Sequence, residues 1–297
     1  MRVTFWGTRG SIAVPGPRTV RHGGNTSCVE VRTNSGALLI LDSGTGIREL
    51  GMSLMEEQQP IHGHVMLSHT HWDHIQGWPF FAPAFVPGNE FTLHGIAGMS
   101  GSLDQVLANQ MEYTYFPVNL EAMHAKIDFH DVHEGEFSID DVKISVHYLN
   151  HTCVCLGYRI EADGASVVYA TDTEPHGLVV TGLAQPNDPS KGEHPYLVHE
   201  QDRSLAEFVR GADLLIMDAQ YTDEEYPQHV GWGHCTTSYT TDIAVLGDAK
   251  KLALYHHDPT RRDDAVDEIV ASARRRIAAY GSAIEVFGAA EGQTVEL

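Results

Sequence analysis

Positive charge is scarce in this chain. Its 297 residues carry 19 lysines and arginines against 40 aspartates and glutamates, a formal net charge of −21. A surface that acidic repels polyanions at long range, so a long nucleic acid is a poor default substrate. Small phosphate esters are not excluded, because a local metal centre outweighs a global field. Long apolar runs are missing as well. No 18-residue apolar stretch exists, which argues against a membrane-spanning helix. The N-terminal MRVTFWGTRGSI lacks the basic-then-apolar order of a signal peptide. Cysteine is sparse: Cys28, Cys153, Cys155 and Cys235 show no framework spacing. Reduced thiols and a cytoplasmic location are therefore expected rather than a disulfide scaffold. No repeat, low-complexity tract or composition break marks a linker, and 42% apolar content suffices for a large core. One domain over residues 1–297 is expected. The oligomeric state stays open, a homodimer included.

Histidine, by contrast, is plentiful, with 19 in the chain. HTHWDHIQGW (69–78) sets three of them and an aspartate within six positions. Composition alone would produce H-x-H-x-D-H only about 0.005 times in such a chain. The surrounding pattern reads as strands leading into loops. Arg2–Trp6, Cys28–Arg32, ALLILD (37–42) and HVMLS (64–68) come first, and the histidine cluster begins where the last of these ends. Gly44–Leu54 reads as helical. After a mixed region, KISVHYL (143–149), LGYRI (156–160), SVVYA (166–170), DLLIM (213–217) and KLALY (251–255) repeat the strand pattern. Helices are expected over Ser238–Leu246 and Asp264–Tyr280. The second carries Val266, Ile269, Val270, Ala273 and Ile277 at helical spacing. The Pro-, Gly- and His-bearing stretch 173–202 reads as an insertion or lid loop.

Metal-ligating residue types recur at these strand ends. His69 and His71, at i and i+2 on an extended segment, point the same way and can share one metal. Asp73 and His74 lie past the bend and can face a second. Downstream, LNHT offers His151, YATD offers Asp172, and LALYHHD offers His256 or His257. Any single histidine is more simply a surface or core residue; the whole set is hard to explain that way.

With H-x-H-x-D-H followed by His151, Asp172 in YATDT and a last strand-end histidine, the chain resembles the metallo-β-lactamase-fold hydrolase superfamily. FWGTRG and ILDSGTG (40–46) resemble the first motif, whose Asp42 would brace the metal loop. HTCVCLGYRI and GHCTT (233–237) are similar to stretches in the branch that includes tRNase Z and cyclic-nucleotide phosphodiesterases. The resemblance implies an α/β fold: an αββα sandwich of two mixed β-sheets with helices on the outer faces and two metals in a cleft at one edge. It implies His69, His71 and His151 on one metal, Asp73, His74 and His256 on the other, and Asp172 bridging. His256 is preferred to His257 because it directly follows KLALY. A mixed nitrogen and oxygen set suits Zn²⁺, with Mn²⁺ or Fe²⁺ also compatible.

In chemical terms, such a site implies a hydrolase. Asp73 would accept the proton of the attacking water, and His234 in GHCTT would protonate the leaving group. The tRNase Z-like equivalent of His234 pairs with a glutamate; the matching position here is Asp218, one methylene shorter. RHGGNTS (21–27) offers Asn25, Thr26 and Ser27 as ligand donors, though a tight turn explains it equally well. Arg261 and Arg262 are placed to clamp a phosphate or to open the next helix. The expected substrate is a small phosphodiester such as a cyclic nucleotide. Lactone or thioester hydrolysis and tRNA 3′-processing are the alternatives, with a metal-binding sensor the non-enzymatic one. The short EADGA turn (161–165) leaves no room there for a tRNA-gripping arm.

Overall fold

Fourteen strands pair into two sheets in the computed structural model, which describes residues 1–57, 60–96, 101–176 and 199–297. The first sheet runs β14 (Thr294–Glu296), β1 (Arg2–Gly7), β2 (Cys28–Arg32), β3 (Leu38–Leu41), β4 (His62–Met66), β5 (Glu90–Gly95), β6 (Lys126–Asp131). The second runs β13 (Glu285–Gly288), β12 (Lys251–Tyr255), β11 (Leu214–Asp218), β10 (Ala165–Ala170), β9 (Cys155–Ala162), β8 (Val142–Leu149), β7 (Gly135–Ile139). Each sheet is half parallel, β3 to β6 in one and β10 to β13 in the other.

Alternation along the strands builds the layers. Val167 and Tyr169 face the other sheet, in a core shared with Val29, Val31, Leu39 and Leu41. Val168 and Ala170 face outward, under α4 (Glu200–Val209), α5 (Thr237–Leu246) and α6 (Asp263–Ala279). On the far side, Leu38, Ile40, Val65 and Phe91 pack under α1 (Ile47–Leu54) and α3 (Leu103–Gln110). These layers form the expected αββα sandwich. Among the described residues, no helix is long and apolar enough to cross a membrane.

The differences from expectation are local. α5 and α6 each begin one residue earlier than read, and the helix read from Gly44 begins at Ile47. The mixed region contains β5, β6, α3 and β7, none of which was expected as an element. The insertion or lid expected over 173–202 falls mostly on 177–198, outside the described residues.

Candidate metal centre

Strand direction gathers the polar residues at one edge. β10, β11 and β12 are mutually parallel, and β8 runs the same way because both it and β10 are antiparallel to β9. Their carboxyl ends deliver His151, Asp172, Asp218 and His256. From the other sheet, the chain leaving β4 delivers His69 and His71, and the single turn α2 (Trp72–Ile75) carries Asp73 and His74. At this edge, Asp42 (φ 60°), Asp172 (φ 43°) and His256 (φ 55°), each just past a strand, adopt left-handed backbone. Each such residue costs roughly 1–3 kcal/mol, and strain of this kind collects at functional sites.

The side chains form two sets that share one aspartate. His71 Nδ1 lies 3.0 Å from His69 Nε2 and 3.0 Å from His151 Nε2. Asp73 Oδ2 lies 3.4 Å from His74 Nε2 and 3.2 Å from His256 Nε2. Between the sets, Asp172 turns one oxygen to each. Oδ2 is 3.5 Å from His69 Nε2 and 3.7 Å from His151 Nε2, while Oδ1 is 3.3 Å from both His74 Nε2 and His256 Nε2. Two nitrogens on one tetrahedral zinc sit about 3.3 Å apart, so these spacings suit a shared cation.

The outer ring nitrogens are engaged by the protein, which fixes which nitrogen faces the cluster. His74 Nδ1 contacts Asp42 Oδ2 (2.7 Å), His151 Nδ1 contacts the Gly233 carbonyl (2.8 Å), His256 Nδ1 contacts Gln220 Oε1 (2.8 Å), and His69 Nδ1 contacts Ser68 Oγ (3.0 Å). Asp42 is fully buried, a state that costs several kcal/mol for a carboxylate unless it is satisfied. It is satisfied: Ser68 N–H, Ser68 Oγ and Tyr169 Oη donate to it alongside His74. The brace read from ILDSGTG is in place.

Burial holds His69, His71 and His151 below the ordinary imidazole range, in the neutral form that ligates metals. Burial also opposes charge on Asp172 and Asp73, but the surrounding histidines keep both well below the usual carboxylate range. His74 Nε2 is buried and makes no hydrogen bond, although two carboxylates stand within 3.4 Å. Burial opposes charge on His74, but Asp172, Asp73 and Asp42 push it well above the ordinary imidazole range. An unbonded ring nitrogen drawn toward two carboxylates, beside the neutral rings of His69, His71 and His151, fits a site for a divalent cation.

The adjacent histidines after β12 are separated cleanly. His256 joins the cluster, whereas His257 turns away, its Nε2 3.0 Å from the Ala289 carbonyl and its ring 5.6 Å from that of His22. Gly10 makes room for His256: a Cβ there would lie 2.4 Å from its ring. His256→Ala is expected to lower metal content by about one equivalent and activity by more than the ~10–100-fold typical of losing an outer partner. His257→Ala should keep the metal and lose only stability. Elemental analysis of both variants checks this, and equal metal loss in the two would reverse it.

His234 sits beside both sets, its ring 4.9 Å from that of His256 and 5.4 Å from that of His151. Asp218 reaches it despite the shorter side chain, with Nδ1 to Oδ2 at 2.8 Å. Burial disfavours the imidazolium, but Asp218 outweighs that and its pKa is pushed up to about 9. The loop is held from both sides. Thr236 caps α5 by accepting from Tyr239 N–H, and Glu174 accepts from the N–H groups of Gly231 and Gly233.

Asn25, Thr26, Ser27 and Arg261 were expected at a substrate, and the structure spends most of their groups internally. Asn25 bonds Glu291 and Thr45, Thr26 Oγ1 accepts from Thr45 N–H, and Ser27 is fully buried. Arg261 donates to Glu225 and the Gln220 carbonyl. These contacts tie loops together, while Ser27 Oγ and Arg261 Nε are buried without a hydrogen-bond partner. Ser11, Gln220 and Glu174 were not anticipated; Ser11 N–H donates to Asp73 Oδ2 at 2.7 Å. No local pattern marks them, because each acts on a residue far away in sequence.

Two mixed sheets with histidines and aspartates gathered at strand ends define a metallo-β-lactamase-fold hydrolase. The family model described as β-lactamase superfamily domain matches residues 39–187, half of the chain, and the chain belongs to that family. It is 26% identical to a ribonuclease Z of Haloarcula marismortui, over 92% of this chain and 91% of the relative. Among solved structures it is similar to a diphosphatase from the PhnP family (TM-score 0.66, 18% identity, 100% of this chain and 97% of the other). It is also similar to the short form of human tRNase Z (TM-score 0.63, 19% identity, 100% and 99%).

Proposed function

We propose that the protein is a dinuclear metal-dependent phosphodiesterase whose substrate is a small phosphodiester such as a cyclic nucleotide. His69, His71 and His151 would hold one divalent cation, and Asp73, His74 and His256 the other, with Asp172 between them. The observation carrying this reading is the placement of Asp172, one oxygen toward each set. Zinc suits the donors best, with manganese and ferrous iron compatible. When bound, such a pair supplies an activated water and polarises a phosphoryl oxygen.

The remaining work falls to side chains. Asp73, its Oδ2 anchored by Ser11 N–H, is positioned to take the proton of the attacking water. His234, charged through Asp218, is positioned to return a proton to the departing alkoxide. Gly233 sets the ring of His151 through its carbonyl. The net charge of −21 favours a small substrate over a long polyanion.

A second reading, tRNA 3′-processing, is favoured by the ribonuclease Z similarity over nearly the whole chain. Against it, β9 and β10 are joined at Asp163–Gly164 by a tight hairpin turn with positive φ at both residues. Metal-loaded protein should cleave a bis-aryl phosphodiester or cyclic nucleotides. Turnover of lactones or thioesters without phosphodiester cleavage would overturn the proposal, and efficient precursor-tRNA cleavage with no small-substrate activity would install the second reading.

A further inference from the structure

HTCVCLGYRI (151–160) places two cysteines just after a cluster histidine, and the ligand assignment above uses neither. Their positions differ. Cys155 opens β9, is fully buried, and its Sγ lies 3.6 Å from His69 Nδ1, the nitrogen that faces away from the cluster. Cys153 belongs to the exposed turn Thr152–Val154 between β8 and β9. Its Sγ and one nitrogen each of His69, His71 and His151 all lie within 4.8 Å of one another. Nothing in core packing requires a thiol at an exposed turn.

Three imidazoles and one oxygen of Asp172 leave a fifth position of that cation open, and thiolate is a ligand that zinc takes readily alongside imidazole. The backbone needs little rearrangement to bring sulfur inward, because Thr152, Cys153 and Val154 are all outside the core. We propose that Cys153 is a displaceable fifth ligand of the cation held by His69, His71, His151 and one oxygen of Asp172; this rests on the ligand assignment proposed above. On binding, the S–H bond breaks, its proton goes to solvent and a sulfur electron pair goes to the cation, with no change of oxidation state. A fifth protein ligand closes the five-coordinate shell, so a phosphoryl oxygen can reach that cation only as the sulfur leaves. The centre thereby acquires a resting form that is protected from adventitious anions.

Cobalt reconstitution of the full chain tests this without reference to activity. The cobalt protein should show a thiolate-to-cobalt charge-transfer absorption in the near ultraviolet, together with visible ligand-field bands of four- or five-coordinate cobalt. Cys153→Ser should lose the first and keep the second, while Cys155→Ala should keep both. Chelator competition should show weaker retention of one metal in Cys153→Ser, by at least the ~10–100-fold typical of an outer partner. Visible bands with no charge-transfer band in the parent protein, or a charge-transfer band that survives Cys153→Ser, overturn the role of Cys153 alone. A chain that retains no cobalt at all overturns the metal assignment and Cys153 with it.

Discussion

Asp172→Asn is expected to reduce metal content from about two equivalents to one or fewer, and to lower turnover by ~10²–10⁴-fold. The magnitude follows from removing the charged partner of a buried set, ~3–5 kcal/mol, at about 1.4 kcal/mol per decade of rate. Among the described residues, Asp172 is the one carboxylate facing both sets, within 3.7 Å of four imidazole nitrogens. Asparagine preserves its volume and tolerates the left-handed φ of 43°, so the backbone at the end of β10 has no reason to move. The substitution therefore removes charge and little else. Thermal unfolding of the variant against metal-stripped parent protein separates a folding defect from a binding one. Two retained equivalents with turnover within tenfold of the parent would mean that Asp172 braces the histidines and does not bridge.

What could be read in the sequence followed from how each element is buried. The parallel strands β3, β11 and β12 are covered on both faces, so LLIL, LLIMD and KLALY appear as continuous apolar runs. β6 and β7 lie at sheet edges, where KIDFHD and GEFSI are mostly exposed or half-exposed and each alternation supplies only two apolar residues, Ile127 and Phe129 in one and Phe137 and Ile139 in the other. The histidine and aspartate cluster was legible because four of its members are crowded into six positions. The separation of His256 from His257 is fixed by tertiary pairing: His257 N–H donates to the Thr8 carbonyl and Gly10 N–H to that of His257. Asn25, Thr26 and Ser27 show the opposite case. Their donors are of the right kind, but Glu291, which takes up those of Asn25, is 266 residues away.

His234→Ala is expected to slow alkyl phosphodiesters by the ~10²–10⁴ typical of general acid catalysis, while slowing activated aryl esters far less. An alkoxide departs with difficulty unless it is protonated as the bond breaks; a nitrophenolate needs little such help. His234 is equipped for that task by Asp218, whose Oδ2 is 2.8 Å from its Nδ1. Below about pH 9 the ring carries the proton it would donate. Cations seated in the cluster would offset the pull of Asp73 and Asp172, leaving Asp218 as the dedicated counter-charge. Metal content should not change, because no cluster residue depends on His234 for its outer hydrogen bond. Removing the ring leaves Asp218 buried, though still bonded to the N–H groups of Thr173 and Gln220. A stability loss of ~1–3 kcal/mol is therefore expected and must be measured alongside the rates. Asp218→Asn should act in the same direction and more weakly, since it discharges the partner but leaves the imidazole in place. The decisive quantity is the ratio of alkyl to aryl rates, which a general loss of folded protein cannot alter. An unchanged ratio in His234→Ala would remove the proton-donor role and leave this residue a structural support for the His151 and His256 rings.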